Sequence, residues 1–191
     1  MPSDLMWRNA NNSYGILAIG FHWTVAFFFL GNLGLGVYMS TLEFSDPNLF
    51  SIYQFHKSVG VSIFAIVMFR LAWRLIDTQP ALPQSMPWWE TLAAKLTHLG
   101  LYSILVAMPL TGWIIVSASP IAIPTRVFDL LALPHIGFIE HNPDKDLWLG
   151  FGEWSHWLLA WSAGVGVLLH VAAALRHHFF LKNNILRRML P

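Results

Sequence analysis

Residues 25–37 read VAFFFLGNLGLGV. The run carries no charge and a single amide, Asn32. An α-helix turns ~100° per residue, so its apolar side chains would point in every direction. A helix of a soluble bundle needs a polar face, and this one has none. Residues 61–69, VSIFAIVMF, pose the same problem. Lipid solves it, because there an apolar side chain is welcome on every face.

The whole chain agrees. Of 191 residues, 55% are hydrophobic and 11% charged, against roughly 25% charged in a soluble domain. Apolar stretches run over about 16–39, 53–76, 91–117 and 153–180. Each reaches the ~20 residues that cross ~30 Å of hydrocarbon. Lipid offers the backbone no partners, so each stretch should be a helix. The expected fold is all-α: one integral membrane domain over 1–191, a four-helix transmembrane bundle with a long connection at about 118–152. That connection holds the apolar run SPIAIPTRVFDLLALPHIGFIEHNP, whose four prolines rule out one long helix. It is expected to fold onto the bundle or to lie at the membrane interface. Pro109 should kink the third segment. The absence of cysteine excludes disulfides, thiolate metal sites, iron–sulfur clusters and c-type haem attachment.

Charge sets the orientation. The connection STLEFSDPNLFS between segments one and two has two acids and no Lys or Arg. Eight of the eleven basic residues (Arg8, Arg70, Arg74, Lys95, Arg176, Lys182, Arg187 and Arg188) fall on the opposite side. The positive-inside rule then places both termini and the proline-rich loop DTQPALPQSMPWWE in the cytoplasm. Trp88, Trp89, Trp148, Trp154 and Trp157 lie near the proposed boundaries, where interfacial anchors belong. No nucleic-acid partner is expected; membrane lipid is.

Histidines inside a bilayer are costly and usually functional. The fourth segment contains SHWLLAWSAGVGVLLH, residues 155–170. His156 and His170 are fourteen residues apart, which is within ~40° of four full turns and ~21 Å in height. They share a face but are too far apart for one metal ion or one porphyrin. Two separate cofactors fit better. At matching depth, His22 of segment one faces the level of His170, and His56 of segment two that of His156. Two axial imidazoles suit a six-coordinate haem iron that transfers electrons. Zinc would need further ligands, and no intramembrane Asp or Glu supplies them. The plain alternative for any one of these residues is a helix–helix hydrogen bond. Gly20, Gly60, Ser62, Gly164 and Gly166 leave room for a porphyrin, or else serve ordinary helix packing. Arg70 and Arg74 would pair with propionates or anchor their helix. His98, at the inner depth, would replace His22, bond a propionate or meet a quinone; a non-ligand role is favoured.

The motifs YGILAIGFHW, FHKSVGVSI, FRLAWRL, AKLTHLGLY, VFDLLALPHI and the last segment from SHWLLAWSAGVGVLLH onward resemble the bacterial cytochrome b561 family over nearly the whole chain. The fold is also similar to the cytochrome b subunits of nickel hydrogenases and formate dehydrogenases. The resemblance implies a multi-pass cytochrome of the bacterial inner membrane with two haem b groups. Its ligand pattern falls on His22 and His170 for the inner haem and on His56 and His156 for the outer. It further implies electron exchange with ubiquinone, a superoxide oxidase branch, and a periplasmic isoprenoid-binding partner for some members.

The expected function is therefore electron transfer between the quinone pool and a donor or acceptor at the periplasmic face. A superoxide:ubiquinone oxidoreductase and the membrane anchor of a larger dehydrogenase are the alternatives, as is a transporter using the histidines as a proton relay. A superoxide-collecting face should be positive. Here Lys57, Arg126 and Lys145 stand against Glu43, Asp46, Asp129, Glu140, Asp144, Asp146 and Glu153. Only a local patch at Lys57, beside His56, favours an anion. The acidic balance suits a basic periplasmic electron carrier.

Overall fold

The structure is a computed structural model that describes residues 7–83 and 86–190. Residues 84 and 85 of the proline-rich loop lie outside the described residues. Four long helices dominate: α1 (Ile16–Met39), α2 (Leu49–Ile76), α3 (Trp88–Ala118) and α5 (Lys145–Phe179). All four are long and apolar enough to cross a membrane, as a four-span bundle requires. Between α3 and α5 lie two short strands, β1 (Thr125–Val127) and β2 (Leu131–Leu133), and the single turn α4 (Gly137–Glu140). A 3₁₀ turn, Arg187–Met189, follows α5.

The apolar side chains are distributed for lipid. Phe27, Phe69 and Leu168 are each about two-thirds or more exposed, while Val67, Ala118 and Ala163 are fully buried. In water, large apolar groups lie inside; here many of them face outward. That is the packing expected where the solvent is itself apolar.

Three of the four long helices are longer than their apolar stretches. α2 begins four residues before the expected 53, α3 three before 91, and α5 eight before 153. The apolar stretch measures hydrocarbon; a helix continues wherever its first N–H groups find partners. For α5 the start is prepared by Asn142, whose Oδ1 accepts from Asp144 N at 2.9 Å. At 35 residues α5 is about 52 Å long, well beyond a ~30 Å core. At the other end of α1, Ser40 and Thr41 hydroxyls donate to the carbonyls of Val37 and Tyr38, meeting acceptors the ending helix leaves free. α3 runs unbroken through Pro109.

The chain divides into two compact units, and all four long helices contribute to both. Unit 1 comprises Met1–Ala26, Ile66–Ser103 and Ala163–Pro191. Its polar framework centres on two buried carboxylates. Asp77 accepts from Asn9 N (2.9 Å) and Arg8 Nε (3.3 Å). Glu90 accepts from Arg176 Nη1 (2.9 Å), with His177 Nε2 at 3.7 Å. The C-terminal tail is laced in by Trp23 Nε1 donating to Met189 O and Arg188 Nη1 donating to Ala81 O.

Unit 2 comprises Phe27–Ala65 and Ile104–Ser162. Here the long connection folds back onto two helices, as its apolar run led us to expect. Gln54 and Ser58 of α2 bond β1 and its neighbours. From α3, Trp113 Nε1 donates to Pro134 O and Ser117 Oγ accepts from Ile136 N. Ile139 of α4 is fully buried beneath.

The Asn9 N–H, together with Arg8 and Thr78 N, holds the Asp77 carboxyl below its ordinary range. A depressed carboxyl stabilises the fold above its unfolded value near ~3.9 and loses that contribution as pH falls through the folded value. Asp77→Ala should therefore lower the thermal midpoint of the detergent-solubilised protein at pH 7. The gap to wild type should close on acidification below about pH 4; a gap that stays constant with pH would contradict the assignment.

Candidate cofactor sites

Unit 2 brings His56 of α2 and His156 of α5 together, ring centroids 6.3 Å apart and planes at 72°. Because both helices begin early, His56 lies about two turns inside α2 and His156 about three turns inside α5, not in their first turns. Unit 1 brings together His22 of α1 and His170 of α5, centroids 6.2 Å apart and planes at 60°. A metal flanked by two imidazoles at about 2 Å per metal–nitrogen bond holds the ring centroids roughly 6.3 Å apart. Both pairs match that spacing. His98 lies 5.4 Å from His170, edge-on, too close for a metal between them, so a non-ligand role fits it better.

The tautomer of His156 can be read from its neighbours. Thr111 Oγ1 has one hydrogen, and it goes to Met108 O at 2.8 Å. His156 Nδ1 lies 3.1 Å from Met108 O and 3.0 Å from Thr111 Oγ1. A carbonyl cannot donate, so Nδ1 carries the proton and donates to it. That leaves the Nε2 lone pair as the ligating one. This is the arrangement by which a second hydrogen bond orients a metal-bound imidazole. His22 and His56 instead bury an Nδ1 that meets no hydrogen-bond partner among the described residues. An unmet buried group of this kind costs about 1–3 kcal/mol.

Backbone approach sets the geometry. A Cβ on Gly152 would lie 2.9 Å from Ile115 Cγ1 and 3.2 Å from Ile114 Cγ2. Only glycine lets α5 come this close to α3, and His156 follows one turn later. A Cβ on Gly36 would stand 3.3 Å from His56 Cε1, and one on Gly112 3.6 Å from His156 Cε1. Sequence reasoning missed Gly36, Gly112, Met108 and Thr111. Their depth along α1 and α3, level with the outer histidines, was the signal available. Of the glycines it did single out, Gly20 and Gly164 have open space where a Cβ would sit, Gly60 faces Asn32 Nδ2, and Gly166 faces Leu101.

Arg70 Nε donates to Tyr102 OH at 2.9 Å, and the guanidinium carbons of Arg70 and Arg74 lie 5.5 and 5.7 Å from the Tyr102 ring centroid. The two cations line one cleft with Trp73, Tyr102, Tyr14 and Asn9. Trp73 Nε1 is buried without a partner. Arg74 meets the neutral Gln79, and among the described residues the ion pairs involve other groups. Two cations line this cleft with Trp73, whose Nε1 meets no partner among the described residues. Lys57, next to His56, is half-buried.

Paired imidazoles of this kind in four apolar helices are the mark of a membrane cytochrome. The model of prokaryotic cytochrome b561 matches residues 13–191. The chain belongs to that family. Cytochrome b561 homolog 2 of Escherichia coli (strain K12) is 33% identical over 187 residues, covering 97% of this chain and 95% of the relative. A protein named probable superoxide oxidase CybB, from Yersinia pestis, is 29% identical over 192 residues, 95% of this chain and 97% of its own length. Cytochrome b561 homolog 1 of Escherichia coli (strain K12) is 29% identical over 140 residues. Membership implies haem b and electron transport. The two imidazole pairs fit such a group; no three His, Cys, Asp or Glu side chains converge for a metal ion among the described residues, and two imidazoles alone do not fill a zinc shell.

Gly152→Val should push α5 off α3 and break the Met108–His156 bond. Gly150→Val, two residues earlier, places its side chain in open space. Haem content per protein should fall in the first variant and stay unchanged in the second; equal loss in both would refute the close-approach argument.

Proposed function

We propose that this b561-family protein carries two haem b groups and relays electrons across the bacterial inner membrane, between ubiquinone and a partner at the periplasmic face. The observation that carries this reading is the pair of imidazole separations, 6.2 and 6.3 Å, one in each unit. His56 and His156 would hold the outer haem, and His22 and His170 the inner. Haem, when bound, supplies a one-electron iron couple; the chain supplies ligation and tunes it. Two imidazoles per haem would leave oxygen and substrates no open site on the iron.

The remaining residues have distinct tasks in this scheme. Met108 O and Thr111 keep the His156 ring oriented. Arg70 and Arg74, braced on Tyr102, would take the propionates of the inner haem by charge-assisted hydrogen bonds. His98 stands beside His170 as a polar neighbour, in reach of a propionate or a quinone carbonyl. The charge distribution supports cytoplasmic termini. It also supports a basic soluble carrier as periplasmic partner, with an isoprenoid-binding protein as a second kind.

Superoxide:ubiquinone oxidoreductase activity is the alternative, favoured by the name of the Yersinia pestis relative and by Lys57 beside His56. The acidic balance of the loops weighs against it. A superoxide pulse separates the two readings. Haem reduction at a diffusion-controlled rate, suppressed by Lys57→Glu, supports the oxidase; slow reduction indifferent to Lys57 supports the relay.

The ligand assignment makes its own prediction. Pyridine haemochrome analysis of purified wild type should give two haems per chain, and His22→Ala and His156→Ala one each. Redox titration should show that the two variants retain different haems. Two haems retained in either variant would remove that residue from the ligand set.

A further inference from the structure

The β-hairpin between α3 and α5 carries an exposed apolar tip: Phe128, Leu130 and Leu131, with Leu130 90% exposed. It is held in an unusual way. Gln54 Nε2 donates to Pro124 O (3.1 Å) while Gln54 Oε1 accepts from Arg126 N (3.4 Å). One helical turn on, Ser58 Oγ accepts from Phe128 N (3.1 Å) and lies 2.9 Å from Arg126 O. The free edge of β1 is thus filled from 124 to 128 by two side chains standing in for a neighbouring strand. An edge in lipid must be satisfied by the protein itself.

Depth points the same way. Ser58 lies nine residues past the start of α2, about 13 Å along the helix. A helix of 28 residues is about 42 Å long, so centring it on a ~30 Å hydrocarbon core leaves roughly 6 Å over at each end. Ser58, and the hairpin backbone bonded to it, then lie inside the hydrocarbon boundary. The tip is also turned toward the lipid-facing side of α2. Phe128 meets Phe55 edge-on at 6.2 Å, and Phe55 is itself more than half exposed on a membrane-spanning helix. Phe128 and Asp129 form the turn with φ of 48° and 59°, left-handed values that a phenylalanine rarely adopts. The Ser58 bond to Phe128 N holds that conformation.

We propose that this hairpin is a membrane-inserted anchor: its Phe128–Leu131 tip is seated in the acyl region of the leaflet on the connection side, against Phe55. Asp129, the one charge in the tip, keeps it near the headgroup boundary. The occupant of the exposed apolar face is lipid, not a protein.

The chain has no cysteine, so single labels are unambiguous. Spin-labelled Leu130→Cys, in full-length protein in phosphatidylethanolamine–phosphatidylglycerol nanodiscs, should collide more with oxygen than with a water-soluble nickel chelate. It should match a Leu168→Cys lipid reference and oppose a Glu43→Cys loop reference. A Glu43-like pattern overturns the proposal. So does protection from both reagents, which would mean cover by a partner protein or a second copy. Adding Gln54→Ala should increase the mobility of the label at 130; unchanged mobility would refute the role given to the Gln54 side chain.

Discussion

A bilayer gives a polar group nothing to bond to. Everything polar that this chain carries into the membrane must find its partner in the chain or in what the chain binds. The backbone complies by becoming helix. The imidazoles comply pairwise, and their pairing places the redox centres we infer. His156 shows the rule most fully. One nitrogen is spent on Met108 O, in the turn of helix beside Pro109, and the other would be left for the iron we infer. His22 and His56 show the same rule from its unfinished side, with buried nitrogens that meet no partner among the described residues.

Glycine makes the histidine geometry possible. Two helices can share a hydrogen bond from a ring nitrogen to a backbone carbonyl only if their axes come close. Gly152 permits that for α3 and α5 one turn before the ring that needs it. Gly36 and Gly112 then leave room for the Cε1 atoms of the outer imidazoles against bare backbone. The packing is selective: at Gly150, in the same helix, nothing stands within reach.

Much of this was legible in the sequence. Four spans followed from apolar length, and the pairs His22–His170 and His56–His156 from depth alone, because depth along a membrane helix is fixed by residue count. Helix ends were less legible. Hydrophobicity marks where hydrocarbon stops, while α5 begins outside it, just after the Asn142–Asp144 turn. The contacts that orient the rings were not legible either. Met108 acts through its carbonyl, which every residue has, and Gly112 through the side chain it lacks. Neither leaves a compositional trace. The fold-back of the long connection could be anticipated from its apolar residues, but not that Gln54 and Ser58 would complete its edge.

Glu90 carries a consequence for how the molecule is made. It is buried at the start of α3, and its partners Arg176 and His177 lie 86 and 87 residues later in the chain. During synthesis the carboxylate therefore enters the membrane boundary long before its cations exist. The same holds for Trp23 and the Ala81 carbonyl, which wait for Met189 and Arg188. The segment from Arg176 to Met189 supplies the missing halves of bonds begun in three earlier ones, so this end is assembled only after that segment has been made.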